Sequence, residues 1–592
     1  MCGIFGIFNS LQHHNITKEQ IEKLFYASCG RGPENSILKT YSKDSYEYTL
    51  GFHRLAINGY HDSNAMQPFD IDDIQLICNG EIYNHKQLFR LMDIEPHSQS
   101  DCEVIVHLYK KYGIAQTLQM IDGVFAFILM DLKNNLFFVA RDTYGVRPLF
   151  VNTIIHDNGD QTYVFASELK SVDVKLEIDD KSFGEVKQFD PGHVSCFQIN
   201  KYDSEKIEYK ETLMFSSPNS FSIIKNSNAL SQRYITGACA AVFSKIEEAV
   251  IKRVDNTERE VACLLSGGLD SSIICALVKR HCKGALHTWS IGLEGSEDLK
   301  YAQLVADHIG TIHHSIVVDE QEFLDAIPEV IWAIESYDTT TVRASVGNWL
   351  ISKYIRENSE AKVIFNGDGA DELMGGYLYF HMAPDSIDFD KECRRLLSNI
   401  HYFDVLRSDR SISSHGLEAR TPFLDRSFVQ CYLSLDPNIR HHALHNKPEK
   451  YIIRQAVDMY GDNLLPKEVL WRTKEAFSDG VSKQTKSWFE IIQDHVRHKI
   501  FKSYINFRDE DILKNFNPYI FNKPTTLEQL YYRDVFTEKF KCMNAEKIIP
   551  YFWMPNFVHA TDASARTLNV YKEKNNIKED NIIPAENVIL RS

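Results

Sequence analysis

After Met1 the chain begins with the run CGIFGIF, at residues 2–8. Cys2 carries a thiol nucleophile, and removal of Met1 would also give it a free α-amino group. Such an amine has a reference pKa of about 7.7–8.0, so near neutral pH a useful fraction is unprotonated and acts as a base. A nucleophile activated by its own terminal amine is one route to covalent acyl transfer. A cysteine at position 2 also arises by chance, and the rest of the chain decides between the two interpretations.

The composition sets bounds on the class of protein. The chain has 592 residues, of which 44% are hydrophobic, and this length predicts roughly two to four globular domains. The 12 cysteines include no C-x-x-C pair, which argues against a zinc ribbon or disulfide framework and favours a reducing, cytoplasmic compartment. No apolar run reaches the ~18 residues that span a bilayer, and a basic signal region is missing. The net charge of -16 disfavours nucleic acid as a partner, so we expect neither a nucleic-acid nor a membrane partner.

The pattern of the sequence changes along the chain and indicates two domains. Residues 2–197 contain short apolar runs broken by turn residues, as in an antiparallel β-rich domain. Residues 198–233 are polar and indicate a linker. In residues 234–550 strand patterns alternate with helical ones, which predicts an α/β domain with a parallel sheet. Residues 551–592 are predicted to form a polar C-terminal tail, of which the last stretch, about 567–592, is polar and charged.

Four local features of the first domain can build a site around the thiol. Arg54 has the side chain best shaped to bind a carboxylate in a bidentate way. Asn79 and Gly80 follow an apolar strand and offer an amide and a backbone N–H as donors. Asp101 precedes a helical run and can pair with an ammonium group, and the turn RGPE at residues 31–34 can cover the site. Each has an ordinary alternative: a surface ion pair, a hairpin turn or a helix N-cap.

The second domain contains the run VACLLSGGLDSS at residues 261–272. An apolar strand passes into a Ser/Gly loop and then into a helix. Small residues let backbone N–H groups face a phosphate, and the helix N-terminus adds a favourable dipole. The Gly-Lys-Ser ending of a Walker A loop is missing. A generic glycine-rich turn is the alternative, and the complete strand-loop-helix context argues against it.

A second strand-loop-helix, VIFNGDGADE, occupies residues 363–372. Its two aspartates and one glutamate are suited to hold Mg²⁺ beside nucleotide phosphates, although a solvated acidic turn is the alternative. Lys474 is suited to neutralise charge on a transferring phosphate, although a surface lysine is far commoner. Three further segments complete the pattern: TTVRAS (340–345), GLEARTPFLD (416–425) and WRTKEAFSDG (471–480).

The CGI and NGEIYN motifs, at residues 2–4 and 79–84, resemble the class II glutamine amidotransferase domain. The resemblance covers about 190 residues and implies an α+β N-terminal-nucleophile glutaminase domain, an αββα sandwich. It implies that Cys2 attacks the glutamine side-chain amide, releases ammonia and leaves a thioester that water hydrolyses. Asn79 and Gly80 would hold the oxyanion, while Arg54 and Asp101 would bind the α-carboxylate and α-ammonium. The implied glutamine-binding residues are Arg54, Leu55, Ala56, Ile57, Asn58, Asn79, Gly80, Glu81 and Asp101.

Two residues depart from the pattern of that family. Gly30 stands where the family usually has a histidine before the RGP run, and Glu34 stands where it usually has an aspartate. Both lie in the loop that can cover the site, so they bear on glutamine affinity and loop closure more than on the chemistry.

The SGGLDS motif at residues 266–271 resembles the PP-loop of ATP pyrophosphatases. With the other segments in order behind a glutaminase domain, residues 2–550 resemble the glutamine-hydrolysing asparagine synthetases. The resemblance implies an α/β PP-loop synthetase domain in which MgATP adenylates the aspartate β-carboxylate and ammonia displaces AMP, giving asparagine, AMP, pyrophosphate and glutamate. A homodimer is an expectation from the family only. The implied ATP-binding residues are Leu265, Ser266, Gly267, Gly268, Asp270, Ser271, Ile291, Asn366 and Gly367; Asp270 and Asp371 would bind Mg²⁺, and Asp368 and Lys474 would act in catalysis with Cys2, Asn79 and Gly80.

One departure lies inside the implied ATP site. The family typically reads SGEGSDE where residues 366–372 read NGDGADE. Asp368 keeps the charge but shortens the side chain by one methylene, and a misplacement of about 1 Å can cost roughly 100-fold in rate. The change predicts a slow synthetase, a compensating backbone shift or a changed acceptor. Ala370 also lacks a hydroxyl that could contact phosphate.

Other functions remain as alternatives to asparagine synthesis. A related synthetase would amidate another carboxylate or close one on itself, and the segments 416–425 and 471–480 argue against it. A sensor of glutamine or ATP that has lost catalysis through Asp368 is a non-enzymatic alternative, and retention of Cys2, Asn79, Asp270 and Lys474 argues against it. Since neutral ammonia has to reach the second site, we expect an apolar passage between the domains.

Overall fold

The computed structural model describes residues 1–10, 16–43, 46–156, 160–173, 183–199, 207–223, 228–472, 487–542, 544–560 and 562–564. Lys474, with the rest of 473–486, and residues 565–592 lie outside the described residues. No helix within the described ranges combines the length and the apolarity that crossing a membrane requires.

The first domain contains two six-stranded antiparallel sheets. Their strands are β1 (Gly3–Ser10), β2 (Asn35–Lys43), β3 (Tyr46–Arg54), β4 (Phe69–Ile71), β5 (Ile74–Ile82), β6 (Gly123–Asp131), β7 (Leu136–Arg141), β8 (Phe150–Ile155), β9 (Gln161–Ala166), β10 (Phe183–Gln188), β11 (His193–Ile199) and β12 (Ile207–Met214). One sheet has the order β10-β8-β9-β1-β3-β2 and the other the order β12-β11-β7-β6-β5-β4.

The two sheets pack face to face between layers of helices. Side chains alternate between the faces of a strand, and Ile4, Phe52 and Ile128 belong to the apolar core between the sheets. Helix α1 (Lys18–Tyr26) packs on the outer face of the first sheet, while α2 (His85–Met92) and α3 (Val104–Met120) cover the second. The predicted αββα sandwich is therefore confirmed.

The second domain is built on a five-stranded parallel sheet of order β15-β14-β13-β16-β17. Parallel sheets need helices on both faces, and the long helices divide between the two sides. This arrangement confirms the predicted α/β domain. The strands are β13 (Val261–Leu264), β14 (His287–Leu293), β15 (Ile312–Val318), β16 (Val363–Phe365) and β17 (Glu418–Arg420).

The helices of this domain connect and cover the strands. They are α4 (Gln232–Asp255), α5 (Leu269–His281), α6 (Glu297–Ile309), α7 (Glu320–Ile334), α8 (Thr339–Asn358), α9 (Ala370–Met374), α10 (Ser386–Asn399), α11 (Asp404–Ser413), α12 (Arg426–Ser434), α13 (Pro437–Arg440), α14 (Tyr451–Tyr460), α15 (Lys467–Leu470), α16 (Trp488–His495), α17 (Asp509–Asn515) and α18 (Leu527–Lys539).

Part of the stretch predicted as a linker, residues 198–233, belongs to the first domain. Strand β12 pairs antiparallel with β11 and forms the edge of the second sheet. All but the first of its residues are exposed, so the strand lacks the apolar alternation by which a sequence reveals it. The sheet therefore continues past residue 197, the predicted boundary.

The described part of the predicted tail, 551–560 and 562–564, packs on the second domain. Trp553 is 7% exposed, and its backbone N–H donates to Asp338 Oδ1 at 2.7 Å. Asp562 forms an ion pair with Arg343 at 2.7 Å. The apolar run YFWMPNFV at residues 551–558 is the local sequence signal for this packing. The prediction of a tail from residue 551 is wrong for this segment.

Two candidate active sites

Cys2 lies immediately before β1, with its thiol half-buried against the first predicted binding segment. Its Sγ donates to the Leu55 carbonyl at 3.6 Å. Burial raises the pKa of the thiol to about 11, and the neighbouring α-ammonium of Met1 opposes that rise. Met1 itself is buried, and its amine donates to the Leu417 carbonyl at 3.1 Å. Burial lowers the pKa of this amine to about 5. As long as Met1 is attached, the terminal amine belongs to Met1 and Cys2 has no free α-amine of its own.

The predicted glutamine-binding segments lie together. Asn58 Nδ2 donates to Glu81 Oε2 at 3.1 Å, which joins residues 54–58 to the NGE run. Asp101 is buried, and its Oδ2 accepts a hydrogen bond from the Ile82 N–H at 2.6 Å. The structure thus brings together parts of the chain that are up to about 100 positions apart in the sequence, from Cys2 to Asp101.

Asn79 and Gly80 lie near the end of β5, opposite β6. Asn79 is 1% exposed, and its Nδ2 has no hydrogen-bond partner among the described residues. A buried donor left unsatisfied costs about 1–3 kcal/mol, and such strain is expected where a donor awaits a developing oxyanion. At Gly80 a Cβ would lie 2.5 Å from the Val124 carbonyl oxygen, so only glycine allows this approach of the strands.

Arg54 is held by the loop that follows it. Its guanidinium donates to the carbonyl oxygens of Gly59, at 2.6 Å, and Asp62, at 3.4 Å. The side chain is half-buried. These two hydrogen bonds to the following loop hold it beside the predicted site.

Gly30 and Glu34, the two residues that depart from the family pattern, both lie against the second domain. Glu34 Oε2 accepts from the Ala56 N–H at 2.7 Å, and its Oε1 pairs with Arg259 at 2.8 Å. Glu34 therefore joins the turn, the binding segment and the second domain. A Cβ on Gly30 would meet the Ser414 carbonyl oxygen at 3.2 Å, so a larger side chain would press against the second domain.

The interface beside Cys2 contains buried charges. Arg31 donates from Nε to the Cys2 carbonyl at 3.0 Å and pairs with Asp409 at 2.8 Å. Arg147 pairs with Glu418 at 3.4 Å. These charged groups lie between the two domains, and the expected apolar passage for ammonia stays a prediction. Buried ions are tolerated when paired, and these pairs fix the docking of the domains.

The PP-loop connects β13 to α5 and is closed by two serines. The hydroxyl oxygens of Ser266 and Ser271 lie 3.0 Å apart, and the Gly268 N–H donates to Ser266 Oγ at 3.3 Å. Gly267 has φ of 73°, and a Cβ there would lie 2.5 Å from the backbone of Tyr301. The loop thus takes a shape that another residue would strain.

A cavity opens at the carboxyl ends of the central strands, where α/β sheets commonly bind ligands. At Gly367 a Cβ would lie 2.8 Å from the Asp270 backbone, so the two loops that form the cavity touch. Of the predicted ATP-binding residues, all but Gly267 line this cavity, namely Leu265, Ser266, Gly268, Asp270, Ser271, Ile291, Asn366 and Gly367.

Two carboxylates and a lysine converge inside the cavity. The Lys450 Nζ lies 2.5 Å from Asp270 Oδ2 and 2.5 Å from Asp371 Oδ1. Asp270 Oδ1 is buried and has no hydrogen-bond partner among the described residues. Carboxylate oxygens are the ligands that Mg²⁺ prefers, so this donor set fits the predicted ion.

Lys450 is a functional candidate that sequence reasoning missed. It lies 180 positions from Asp270 and belongs to no motif, so no local signal distinguishes it from a surface lysine. The predicted Lys474 lies outside the described residues. Arg407, which also lines the cavity, was missed for the same reason.

Asp368 lines the cavity and is anchored by Arg407. The arginine Nη2 donates to Asp368 Oδ1 at 2.9 Å and to Asp404 Oδ1 at 2.9 Å. Burial raises the pKa of Asp368, and the Arg407 guanidinium opposes that rise. Ala370 is buried and is not among the residues that line the cavity.

The comparisons with known proteins match both domains. The family described as "Glutamine amidotransferase domain" matches residues 1–208, and "Asparagine synthase" matches residues 241–388 and 383–548. Proteins named "Asparagine synthetase [glutamine-hydrolyzing]" are similar over 97% of this chain and 99% of their own length. The Gallus gallus and Cricetulus griseus proteins are 40% identical to the chain, and the Homo sapiens protein is 39% identical.

Fold and sites define an amidotransferase joined to an ATP-dependent ligase. The chain belongs to the glutamine-hydrolysing asparagine synthetase family.

Proposed function

We propose that Cys2 and the PP-loop cavity catalyse the two halves of glutamine-dependent asparagine synthesis, with residues 2–197 extended by β12 as the glutaminase domain. Membership of the family gives the overall reaction, with glutamine, aspartate and ATP as substrates; the residue roles are our assignment. The observation that carries it is the placement of both sites against one strand. Arg420, at the end of β17, donates to Glu81 Oε2 in the glutamine site at 3.1 Å, and β17 pairs with β16, which leads into the nucleotide cavity.

In the glutaminase half, Cys2 without Met1 is both nucleophile and base. Its α-amine takes the thiol proton, and the sulfur attacks the carboxamide carbon of glutamine. The Asn79 Nδ2 and the Gly80 N–H stabilise the oxyanion. Cleavage of the C–N bond releases ammonia with the transferred proton, and water then hydrolyses the thioester to glutamate. Arg54 and Asp101 bind the α-carboxylate and α-ammonium of the substrate.

In the synthetase half, the aspartate β-carboxylate attacks the α-phosphorus of ATP, and pyrophosphate leaves. Lys450 stabilises the negative charge that develops on the phosphate oxygens. Mg²⁺ held by Asp270 and Asp371 would neutralise further phosphate charge when bound. Ammonia then attacks the acyl carbon of the mixed anhydride, AMP leaves, and Asp368 accepts the proton that ammonia loses.

We also infer a cytoplasmic setting and a homodimer. All 12 cysteines are free, which supports a reducing compartment. The dimer follows from the family alone and is tested by the mass of the protein in solution. We infer neither a membrane nor a nucleic-acid partner, and the net charge of -16 supports the second inference.

The test is a product assay on protein whose loss of Met1 has been checked by mass. Aspartate, MgATP and glutamine are supplied, and asparagine, glutamate, AMP and pyrophosphate are quantified together. We expect equal amounts of asparagine and AMP. Glutamate without asparagine would contradict the assignment of the second site and indicate a synthetase site that is inactive or takes another acid.

A further inference from the structure

Arg420, the last residue of β17, contacts both candidate sites. Its side chain is 1% exposed, and Nη2 donates to Glu81 Oε2 at 3.1 Å, in the NGE run of the glutamine site. Its carbonyl oxygen accepts from the Asn366 N–H at 3.1 Å, where the loop of the nucleotide cavity begins. One residue therefore touches one site with its guanidinium and the other with its backbone.

Glu81 depends on this arginine for its charge balance. Its other hydrogen-bond donors are neutral amides, Asn58 at 3.1 Å and Asn256 at 2.7 Å. The ion pairs of the described ranges give Glu81 a single cationic partner, Arg420. Burial raises the pKa of Glu81, the charge of Asp101 adds to the rise, and Arg420 opposes it. An ionised Glu81 at this place therefore needs the guanidinium.

The remaining donors of Arg420 fix its orientation. Nε donates to Glu418 Oε1 at 3.0 Å, and Nη2 also donates to the Asn256 carbonyl at 2.8 Å. Nη1 donates to the Arg253 carbonyl. Because the fork of an arginine is planar and rigid, its five donors move together. A shift of β17 therefore moves the group that holds Glu81.

We propose that Arg420 is a positioning residue that couples the two active sites. Its guanidinium aligns Glu81, and with it the adjoining Asn79 and Gly80, with β17. Its carbonyl oxygen holds the nucleotide loop to the same strand through the Asn366 N–H. Occupation of the nucleotide cavity is thereby transmitted to glutamine hydrolysis, and a coupling between binding sites acts in both directions. This inference rests on the proposed function of the two sites.

The first test is the Arg420→Lys variant, which keeps the charge and loses the fork. With glutamine, aspartate and MgATP, the ratio of glutamate to asparagine should rise by about fivefold or more, because hydrolysis no longer follows nucleotide occupancy. Asparagine formed from ammonium reports the nucleotide site separately. A merely structural defect reduces the fraction of folded protein. Glutamate and asparagine then fall in the same proportion, and their ratio stays unchanged.

The matched control is Arg253→Lys. Arg253 is also buried and pairs with Asp425 at 2.7 Å, but its side chain makes no ion pair with Glu81 within the described residues. We expect this variant to keep the wild-type ratio. An equal rise in both lysine variants would overturn the coupling role and indicate a general loosening of the interface.

A double-mutant cycle of Glu81→Gln and Arg420→Lys tests the contact itself. If the two side chains act as a unit, the second substitution adds little to the KM for glutamine once the first is present. Additive effects, or a wild-type product ratio in Arg420→Lys, would contradict the proposal. Failure of the proposed function looks different, since the wild type would then form no asparagine from either nitrogen source.

Discussion

Lys450 shows how a single buried charge can organise a site. A lysine ammonium is a compact, strongly hydrated charge, and its burial is tolerable here because Asp270 and Asp371 flank it. The same lysine keeps the two carboxylates close together, where they would otherwise repel each other. ATP phosphates entering the cavity therefore meet a cation whose position is already set.

Replacement of Lys450 by Met should slow asparagine formation strongly while glutamine hydrolysis persists. Loss of one stabilising donor or charge typically costs about 10²–10³ in rate. Ammonium-dependent synthesis is the measurement, and glutaminase activity reports folding. Lys447→Met, at an exposed lysine three positions away, is the control. Equal activity of the two variants would remove Lys450 from the mechanism.

His415 predicts a specific dependence of stability on pH. Burial, with a smaller contribution from Lys353, lowers the pKa of His415 to about 4, and the ring packs 4.7 Å from that of Trp349. The folded state thus holds the neutral ring while the unfolded chain protonates near pH 6.5. Stability is complete above about pH 6.5 and falls toward pH 4, by about 1.4 kcal/mol per pH unit from this group.

The check is the thermal midpoint of wild type and His415→Leu at pH 7 and pH 5. The leucine cannot titrate, so its midpoint should fall less between the two values. An identical fall in both proteins would show that His415 does not titrate on unfolding.

At the scale of elements, the local motifs could be predicted from the sequence, whereas the edge strand β12 and the packing of the C-terminal segment could not. The strand-loop-helix at 261–272 and the NGE run could be predicted because glycine and small polar residues determine their backbone locally. Strand β12 was not predicted because its face is polar. The packing of residues 551–560 was missed although the run YFWMPNFV is apolar, because the partners of this run, such as Asp338 for Trp553, are up to 215 positions away. The roles of Lys450 and Arg420 likewise arise only when distant strands and loops meet.

The pairing of β5 with β6 makes Gly80 sensitive to the smallest substitution. In Gly80→Ala the new Cβ would lie 2.5 Å from the Val124 carbonyl, so the strands must separate and the oxyanion donor moves. A displacement of about 1 Å costs roughly 100-fold, and glutaminase activity should fall by that order while ammonium-dependent synthesis remains. Gly237→Ala, with no atom within 4 Å of its Cβ, is the control. Full glutaminase activity in Gly80→Ala would contradict the oxyanion assignment.

At the scale of the whole molecule, the two domains share an interface but use separate chemistry. Buried ion pairs, such as Arg31 with Asp409, fix their relative position without requiring either reaction. The activities should therefore be separable by substitutions that leave the interface intact.

Cys2→Ala is the clearest such substitution, since it removes only a sulfur. We expect complete loss of glutamine-dependent synthesis, with synthesis from added ammonium at the wild-type rate. Both activities are measured on the same preparation, whose folding is compared by its thermal midpoint. Loss of both in a folded variant would contradict the model of two separate sites.

The burial of Met1 against Leu417 limits the time during which Met1 can be removed in protein synthesis. The two residues are 416 positions apart, so at about 5–20 residues per second the ribosome needs roughly 20–80 s to reach the second after the first. Within that interval the amino terminus is still open to an aminopeptidase; once the domains dock, it is enclosed. The order of processing and docking during translation therefore decides what fraction of the chains acquires a free amine on Cys2.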